Sequence, residues 1–182
     1  MIYEIFYAFL IKIIKLFHRN FIATFFMAIL IILVRRKYKL SDIKKELYSI
    51  WNNIKKNHQY RNECCLIVWL VFMLFCTVFT RDFINPFENI LGNWWPYNIE
   101  FSYVELDCIE NVCLFIPYGY FINSLRTKNI KGNIIIVLLT SLCIECFQII
   151  TVSGTFQLSD IFYNIIGGMF GILISKGNYH SK

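Results

Sequence analysis

Residues 133–152 read NIIIVLLTSLCIECFQIITV, an apolar run of the length that an α-helix needs to cross a bilayer. Glu145 and Gln148 interrupt the run three residues apart, so a helix places both on one face. An ionisable or amide side chain inside a membrane span costs free energy unless it is paired or hydrated. The stretch therefore predicts a transmembrane helix with a polar site in it.

The composition of the whole chain agrees with a membrane protein. Of its 182 residues 57% are hydrophobic and 16% are charged, and the mean hydropathy is +0.53. Soluble domains carry about 25% charged residues, so this chain has too little charge to cover a water-facing surface. Disorder is excluded by the same numbers. Seven cysteines, an odd number that falls largely in apolar runs, argue against a secreted disulfide scaffold.

Further apolar runs surround the first. The predicted spans are residues 64–80, 109–125, 133–152 and 161–175. Residues 21–34 form a shorter apolar run, which is long enough to cross the bilayer only together with part of residues 15–20. Residues 2–19 carry one polar stripe, typical of an interfacial helix or of a span with a polar edge. The fold class predicted is all-α, a polytopic bundle of about five transmembrane helices with an N-terminal amphipathic or transmembrane helix. The stripe consists of Glu4, Lys12, Lys15 and Arg19.

Two charged blocks predict the orientation. Residues 35–61 hold nine Lys and Arg against two acidic residues, a net charge of +7, and residues 81–110 have a net charge of −5. By the positive-inside rule residues 35–63 and the C-terminus are cytoplasmic and residues 81–108 are external. Juxtamembrane Lys and Arg are the ordinary topology signal and attract anionic lipid, so we expect the bilayer as partner and no nucleic acid. The predicted location is the cell membrane, crossed several times.

Residues 41–60 form a predicted helix that cannot span. Its apolar residues recur at helical spacing, and lysines occupy other faces. We interpret it as a cytoplasmic helix on the inner leaflet, with a calmodulin-like or other protein partner as the alternative. The apolar residues are Ile43, Leu47, Ile50, Trp51 and Ile54. The predicted segments are 1–34, 35–63, 64–175 and 176–182.

Polar side chains on three predicted helices form the candidate site. Asn111 lies near the outer end of its helix, Glu145 and Gln148 share a face, and Asp160 and Asn164 share another at i, i+4. Their similar depth predicts one connected site in the outer leaflet, reachable from outside. Two structural alternatives stay open: buried amides often only join helices, and Asp160 can cap its helix.

Small residues continue the face that carries Asn164. Gly167, Gly168 and Gly171 follow it, and Gly167-x-x-x-Gly171 is the spacing at which membrane helices approach closely. That face is therefore predicted to point into the bundle. Residues 153–159 form a short link, so the last two spans are predicted to be antiparallel neighbours.

The motifs together resemble the VanZ-like family of membrane proteins. They are NVCLFIPYG at 111–119, SLCIECFQ at 141–148, GTFQLSD at 154–160 and NIIGG at 164–168, with Arg81 and NPF at 85–87. The resemblance covers residues 64–175. The family often has an acid at the position of Gln157, a basic residue near Thr155 and a Thr at Ile165, so the short link is less charged here than in the family pattern.

The resemblance implies a link to low-level resistance to teicoplanin, a glycopeptide that binds peptidoglycan precursors. In one interpretation Glu145 and Asp160 are an acid/base or charge-binding pair, the catalytic candidates, and Asn111, Gln148 and Asn164 bind a lipid-linked cell-wall intermediate. In another the protein binds lipid, glycopeptide or a partner without catalysis, and a small transporter is a third. Cys143-x-x-Cys146 stands without a second pair, so we predict no metal and no cofactor.

Overall fold

A computed structural model describes residues 2–35, 43–79, 85–94, 97–98, 103–104, 106–126 and 129–180. Its helices are α1 (Ile2–Arg35), α2 (Ile43–Lys56), α3 (His58–Leu74), α4 (Leu106–Leu125), α5 (Ile130–Thr151) and α6 (Leu158–His180). A π-helical turn, Phe75–Phe79, extends α3. The two-residue strands β1 (Tyr97–Asn98) and β2 (Tyr103–Val104) pair antiparallel. The predicted all-α class is confirmed.

Three helices within these ranges are long and apolar enough to cross a membrane. They are His58–Val78, Ile130–Thr151 and Leu158–Lys176, and Asn20–Arg35 is a shorter apolar helix. The helix α4 lies outside this set and carries Asp107, Glu110, Asn111 and Asn123. The predicted count of about five spans stays a prediction.

The helix α1 is continuous, so residues 2–19 and 21–34 belong to one element. Asn20, Thr24, Ala28 and Ile32 are buried at four-residue intervals, one face of a helix. The Asn20 side chain donates to Cys76 Sγ at 3.5 Å. At the other end Arg35 and Glu63 form an ion pair of 2.9 Å, so α1 and α3 run antiparallel. The side chains of the predicted stripe at 4, 12, 15 and 19 lie outside the described residues.

The single helix predicted over residues 41–60 is wrong, because Asn57 divides it. Asn57 is extended, with φ −116° and ψ 111°, and its side chain accepts the Tyr60 N–H at 3.1 Å. This N-cap starts α3 six residues before the predicted span. The predicted segment boundary at 63/64 consequently falls within α3. The helix α2 packs through Ile50 against Ile32 and Cys64.

The helices α4 and α6 lie side by side with their backbones in contact. A Cβ at Gly167 would collide with the Val112 carbonyl, and one at Gly171 with the Ile116 carbonyl. A Cβ at Gly119 would meet the carbonyl oxygen of Gly168. Residue numbers rise together along both helices, so α4 and α6 are parallel. The small residues thus pack against another helix, as the spacing predicted.

The helix α5 runs antiparallel to both. Its contacts with α6 pair Ser141 with Asn164 and Val137 with Gly168. The end of α3 and of α5 therefore lies beside the start of α4 and of α6, at the end of the bundle that carries residues 85–94, hereafter the loop end. Between the helices lies an apolar core that includes Phe72, Met73, Phe115, Ile144 and Ile172.

Candidate functional site

All five predicted site residues are buried, and all lie toward the loop end. Asn111 is in the second turn of α4, Glu145 and Gln148 are in the last two turns of α5, and Asp160 and Asn164 are in the first two turns of α6. Their exposed fractions are 4% for Asn111, 1% for Glu145, 1% for Gln148, 6% for Asp160 and 2% for Asn164. We refer to these five side chains as the polar cluster, and their union in one connected site stays a prediction, because the described hydrogen bonds of Glu145, Gln148 and Asn164 go to residues outside the five.

One face of α5 connects the polar cluster to its neighbours. Ser141, Glu145 and Gln148 are spaced at i, i+4 and i+7, which places them in one row. Asn164 of α6 donates from Nδ2 to Ser141 Oγ at 2.9 Å. Gln148 donates from Nε2 to the carbonyl of Thr77, in the π-helical turn, at 2.9 Å. The row therefore joins α5 to α6 and to the end of α3.

The Glu145 carboxylate accepts a hydrogen bond from the link between α5 and α6, which comprises residues 152–157. Its Oε2 accepts the backbone N–H of Gln157 at 3.1 Å. A hydrogen bond to a carboxylate is stronger than one between neutral groups, which offsets part of the cost of burying the charge. The expected donors were the Gln148 and Asn164 amides. One donor to Glu145 is thus the backbone amide of Gln157, and Asn164 donates to Ser141, one turn below Glu145 on α5.

The link begins with an unusual residue, Val152, at φ 53°. Ser153 N donates to the Gln148 carbonyl at 3.1 Å and Val152 N to the Ile149 carbonyl at 3.3 Å. These two bonds form a Schellman motif, which closes the helix and needs a left-handed residue at this position. Glycine adopts that conformation freely, whereas a β-branched residue there is strained.

Residues 85–92, hereafter the cover, lie over the link, between the polar cluster and the loop end. The carbonyls of Pro86, Ile90 and Leu91 accept the backbone N–H groups of Phe156, Leu158 and Ser159 at 2.8, 3.0 and 3.3 Å. Gly92 has φ 71°, and a Cβ there would collide with Ser159 Oγ. The cover thus depends on glycine for both its turn and its close approach.

The cover changes two expectations. The cluster was expected to open to the outside, whereas its side chains are almost fully enclosed in this conformation. Asp160 was a candidate helix cap, but α6 begins at Leu158, and the loop carbonyls take the first free N–H groups. Asp160 lies in the first turn, where the positive end of the helix dipole favours a carboxylate.

Three amide atoms of the polar cluster are buried without a hydrogen-bond partner in the described part of the chain: Asn111 Nδ2, Gln148 Oε1 and Asn164 Oδ1. Buried polar atoms in folded proteins are nearly always satisfied by protein or by ordered water. As placed, they offer one donor and two acceptors. Ordered water or a ligand is therefore expected to complete their hydrogen bonds.

Sequence reasoning missed the groups that complete these contacts. The Thr77 carbonyl and the Gln157 amide are backbone atoms, which leave no mark in the sequence. A second polar set at the opposite end was also missed. There Asn133 donates to Asn123 Oδ1 at 2.9 Å, and Ser124 and Ser175 hydroxyls lie 2.9 Å apart. Amides within apolar runs are the signal that could have found Asn123 and Asn133.

The metal-like pair Cys143 and Cys146 is exposed on the outside of α5, away from the polar cluster. Over the described ranges, no group of three or more His, Cys, Asp and Glu side chains is placed to hold a metal ion.

Comparisons with known proteins identify the family. The profile of the VanZ/LLP1 family matches residues 2–178. Among curated proteins, "Protein VanZ" of Enterococcus faecium is 28% identical over 116 residues, which cover 63% of this chain and 70% of that protein. No solved structure matches significantly. The profile match extends beyond the motifs at residues 64–175 to the N-terminal helices. With three helices in its described part that are long and apolar enough to cross a membrane, the chain is a membrane protein that belongs to the VanZ/LLP1 family.

Proposed function

We propose that this protein acts in the cell envelope by binding the polar part of a lipid-linked envelope component in the polar cluster, and thereby contributes to teicoplanin-type glycopeptide resistance. One observation carries the proposal: three buried amide atoms of the polar cluster have no hydrogen-bond partner among the described residues. The family match supports the setting, since the curated relative is named VanZ and the resemblance links that name to teicoplanin.

The unpaired atoms indicate the kind of ligand. Gln148 Oε1 and Asn164 Oδ1 require N–H or O–H donors, and Asn111 Nδ2 requires an acceptor such as a carbonyl. Peptide and acylamino groups of cell-wall precursors present both. A glycopeptide itself is the second candidate, since it also carries amides, but it is too large to enter an enclosed cluster without moving the cover.

The same proposal includes an orientation. The loop end faces outward, and α2 and the C-terminus face the cytoplasm. The charge distribution supports this, because the described basic residues Lys55, Lys56 and Arg61 lie at the start of α3, and the described acidic residue Glu88 lies at the loop end, where α3 ends. The polar cluster then lies at the depth where headgroups of the outer leaflet begin.

Glu145→Gln tests the proposal. It keeps the size of the side chain but removes the negative charge and the capacity for acid/base chemistry. Teicoplanin susceptibility is measured in a sensitive host that expresses either the native chain or the variant, at matched membrane abundance. The control is Glu88→Gln, which neutralises an exposed loop carboxylate. Binding of radiolabelled lipid-linked precursor to purified protein is measured alongside.

Loss of both resistance and binding in Glu145→Gln, with the control unchanged, supports a charged binding site. Loss of resistance with binding intact assigns acid/base chemistry to Glu145. No resistance from the native chain and no precursor binding would overturn the proposal.

A second candidate function is a scaffold in which the cluster only fastens helices. Gln148 and Glu145 favour it, because each bonds to a backbone group of another element. This candidate predicts that Glu145→Gln retains resistance and that only stability changes. A transporter is disfavoured, because the cluster lies toward one end of the bundle and transporter sites lie near the bilayer midplane.

A further inference from the structure

The helix α2 exposes a stripe of basic and aromatic side chains that the proposed function does not use. Lys44, Tyr48, Trp51 and Lys55 are spaced at i, i+4, i+7 and i+11, so they lie on one face. Tyr48 is 68% and Trp51 55% exposed, and the Lys55 ammonium lies 4.8 Å from the centroid of the Trp51 ring. We call these four residues the lysine–aromatic stripe.

The stripe is fixed relative to the rest of the protein. Ile50, about 100° around the helix from Trp51, packs against Ile32 of α1 and Cys64 of α3. Between this anchor and the stripe lie Ile43 and Leu47, apolar and exposed. Going around α2, the surfaces are therefore a buried anchor, an apolar edge and the lysine–aromatic stripe.

This order of surfaces matches the layers at a membrane boundary. The helix α2 lies where α1 ends and α3 begins, and the Arg35–Glu63 ion pair marks the same level. Exposed apolar side chains are stable in acyl chains, aromatic rings with a polar edge are stable at the headgroup level, and lysines reach phosphates. A solvated helix would gain nothing from exposing Ile43, Leu47 and Trp51 together.

We propose that the lysine–aromatic stripe binds anionic phospholipids of the leaflet beside it, with Lys44 and Lys55 each contacting a headgroup phosphate. Charge complementarity selects this occupant, because residues 35–61 carry nine basic and two acidic residues. A zwitterionic lipid offers the same phosphate, but its own cation opposes the two lysines. The protein thus selects its neighbouring lipids by charge, independently of what the polar cluster binds.

The chain offers a matched pair of variants for the test. Lys44→Gln with Lys55→Gln removes two charges from the stripe. Lys45→Gln with Lys56→Gln removes the same two charges from exposed positions about 100° further around α2. All four lysines are exposed, so both double variants should fold, and circular dichroism and melting in detergent check this.

Full-length protein is reconstituted with spin-labelled phosphatidylglycerol or phosphatidylcholine, and the relative association constants are measured from the motionally restricted fraction. We expect the native chain to prefer phosphatidylglycerol. The stripe variant loses most of that preference, about tenfold at low salt, and the control variant keeps it within about twofold. Added salt weakens the preference of the native chain.

Three results would overturn the proposal. The native chain could show no preference for the anionic lipid. The two double variants could lose the preference equally, which would assign it to net charge and not to the stripe. The preference could survive in the stripe variant while a co-purifying protein is lost, which would assign the stripe to a protein partner.

Discussion

Val152 illustrates how much one backbone conformation can cost. It occupies the left-handed region at φ 53° because the Schellman closure of α5 requires it, although valine is among the residues least suited to it. Strain of this kind amounts to about 1–3 kcal/mol, and it lies at the start of the link that holds Glu145. Strained residues cluster at functional sites, so the position is a sensitive one.

We predict that Val152→Gly stabilises the protein. Glycine removes the strain but loses more backbone entropy on folding, so the net gain should be about 1 kcal/mol in the free energy of unfolding. Thermal melting in detergent measures it. Ile149→Gly, three residues earlier inside α5, is the control and should lower the melting temperature. A lower melting temperature for Val152→Gly would contradict the left-handed assignment.

Gln148 joins α5 to the π-helical turn, so Gln148→Leu should destabilise the protein. The substitution leaves the buried Thr77 carbonyl without its donor and adds no compensating bond, at a cost of about 1–3 kcal/mol. Unfolding in detergent checks the value, with Phe147→Leu on the exposed side of α5 as control. An equal effect of both substitutions would show that the Thr77 bond contributes nothing.

For single residues, the sequence predicts which side chains are buried better than it predicts their hydrogen-bond partners. Glu145, Gln148 and Asn164 could be expected to avoid lipid, because the cost of exposing them there depends only on residue type. Their partners depend on tertiary geometry. Thr77 contributes a backbone carbonyl in the π-helical turn, and Gln157 contributes a backbone amide in the link. Neither group depends on the identity of its side chain.

At the scale of elements, the contact between α4 and α6 sets the geometry of the polar cluster. Gly171 lies so close to α4 that a Cβ would collide with the Ile116 carbonyl and lie 2.6 Å from Tyr120 N. Because both obstacles are backbone atoms, the helices must separate to accept a side chain. Separation would shift Asn164 relative to Asn111.

We therefore predict that Gly171→Ala lowers the free energy of unfolding by about 2 kcal/mol or more. Gly132→Ala is the matched control. The atoms nearest to its Cβ belong to the Asn129 side chain, 3.0 Å away at the closest, and a side chain can shift where a backbone cannot, so its effect should be much smaller. Melting of both variants in detergent decides the matter, and equal melting temperatures would contradict the close approach.

Helices could be predicted from the sequence where a long apolar run marks them. The apolar runs at 109–125, 133–152 and 161–175 fall within α4, α5 and α6 apart from one residue at the end of α5. The break at Asn57 was not predicted, because asparagine within a polar helix is also common on a solvent-facing surface. The π-helical turn was not predicted either, since no side chain in 75–79 distinguishes it from an α-helix.

For the whole molecule, the arrangement of helices gives a sharp topology prediction. Lys55 lies by the start of α3, Glu88 lies in the cover, and Lys176 lies near the end of α6, all exposed. In a background without native cysteines, Lys55→Cys and Lys176→Cys should react with an impermeant thiol reagent only from the cytoplasmic side, and Glu88→Cys only from outside. Labelling of Lys55→Cys and Glu88→Cys from the same side would contradict the arrangement.

The backbone bonds between residues 85–92 and the α5–α6 link determine the kinetics of anything that enters the polar cluster. Three N–H donors, from Phe156, Leu158 and Ser159, must release their carbonyls before a molecule from the loop end reaches Glu145. Binding then waits for this opening, which belongs to the microsecond to millisecond range of loop motions. The observed rate of association should rise with ligand concentration and then level off, and the plateau is the opening rate of the protein itself, the same for every ligand.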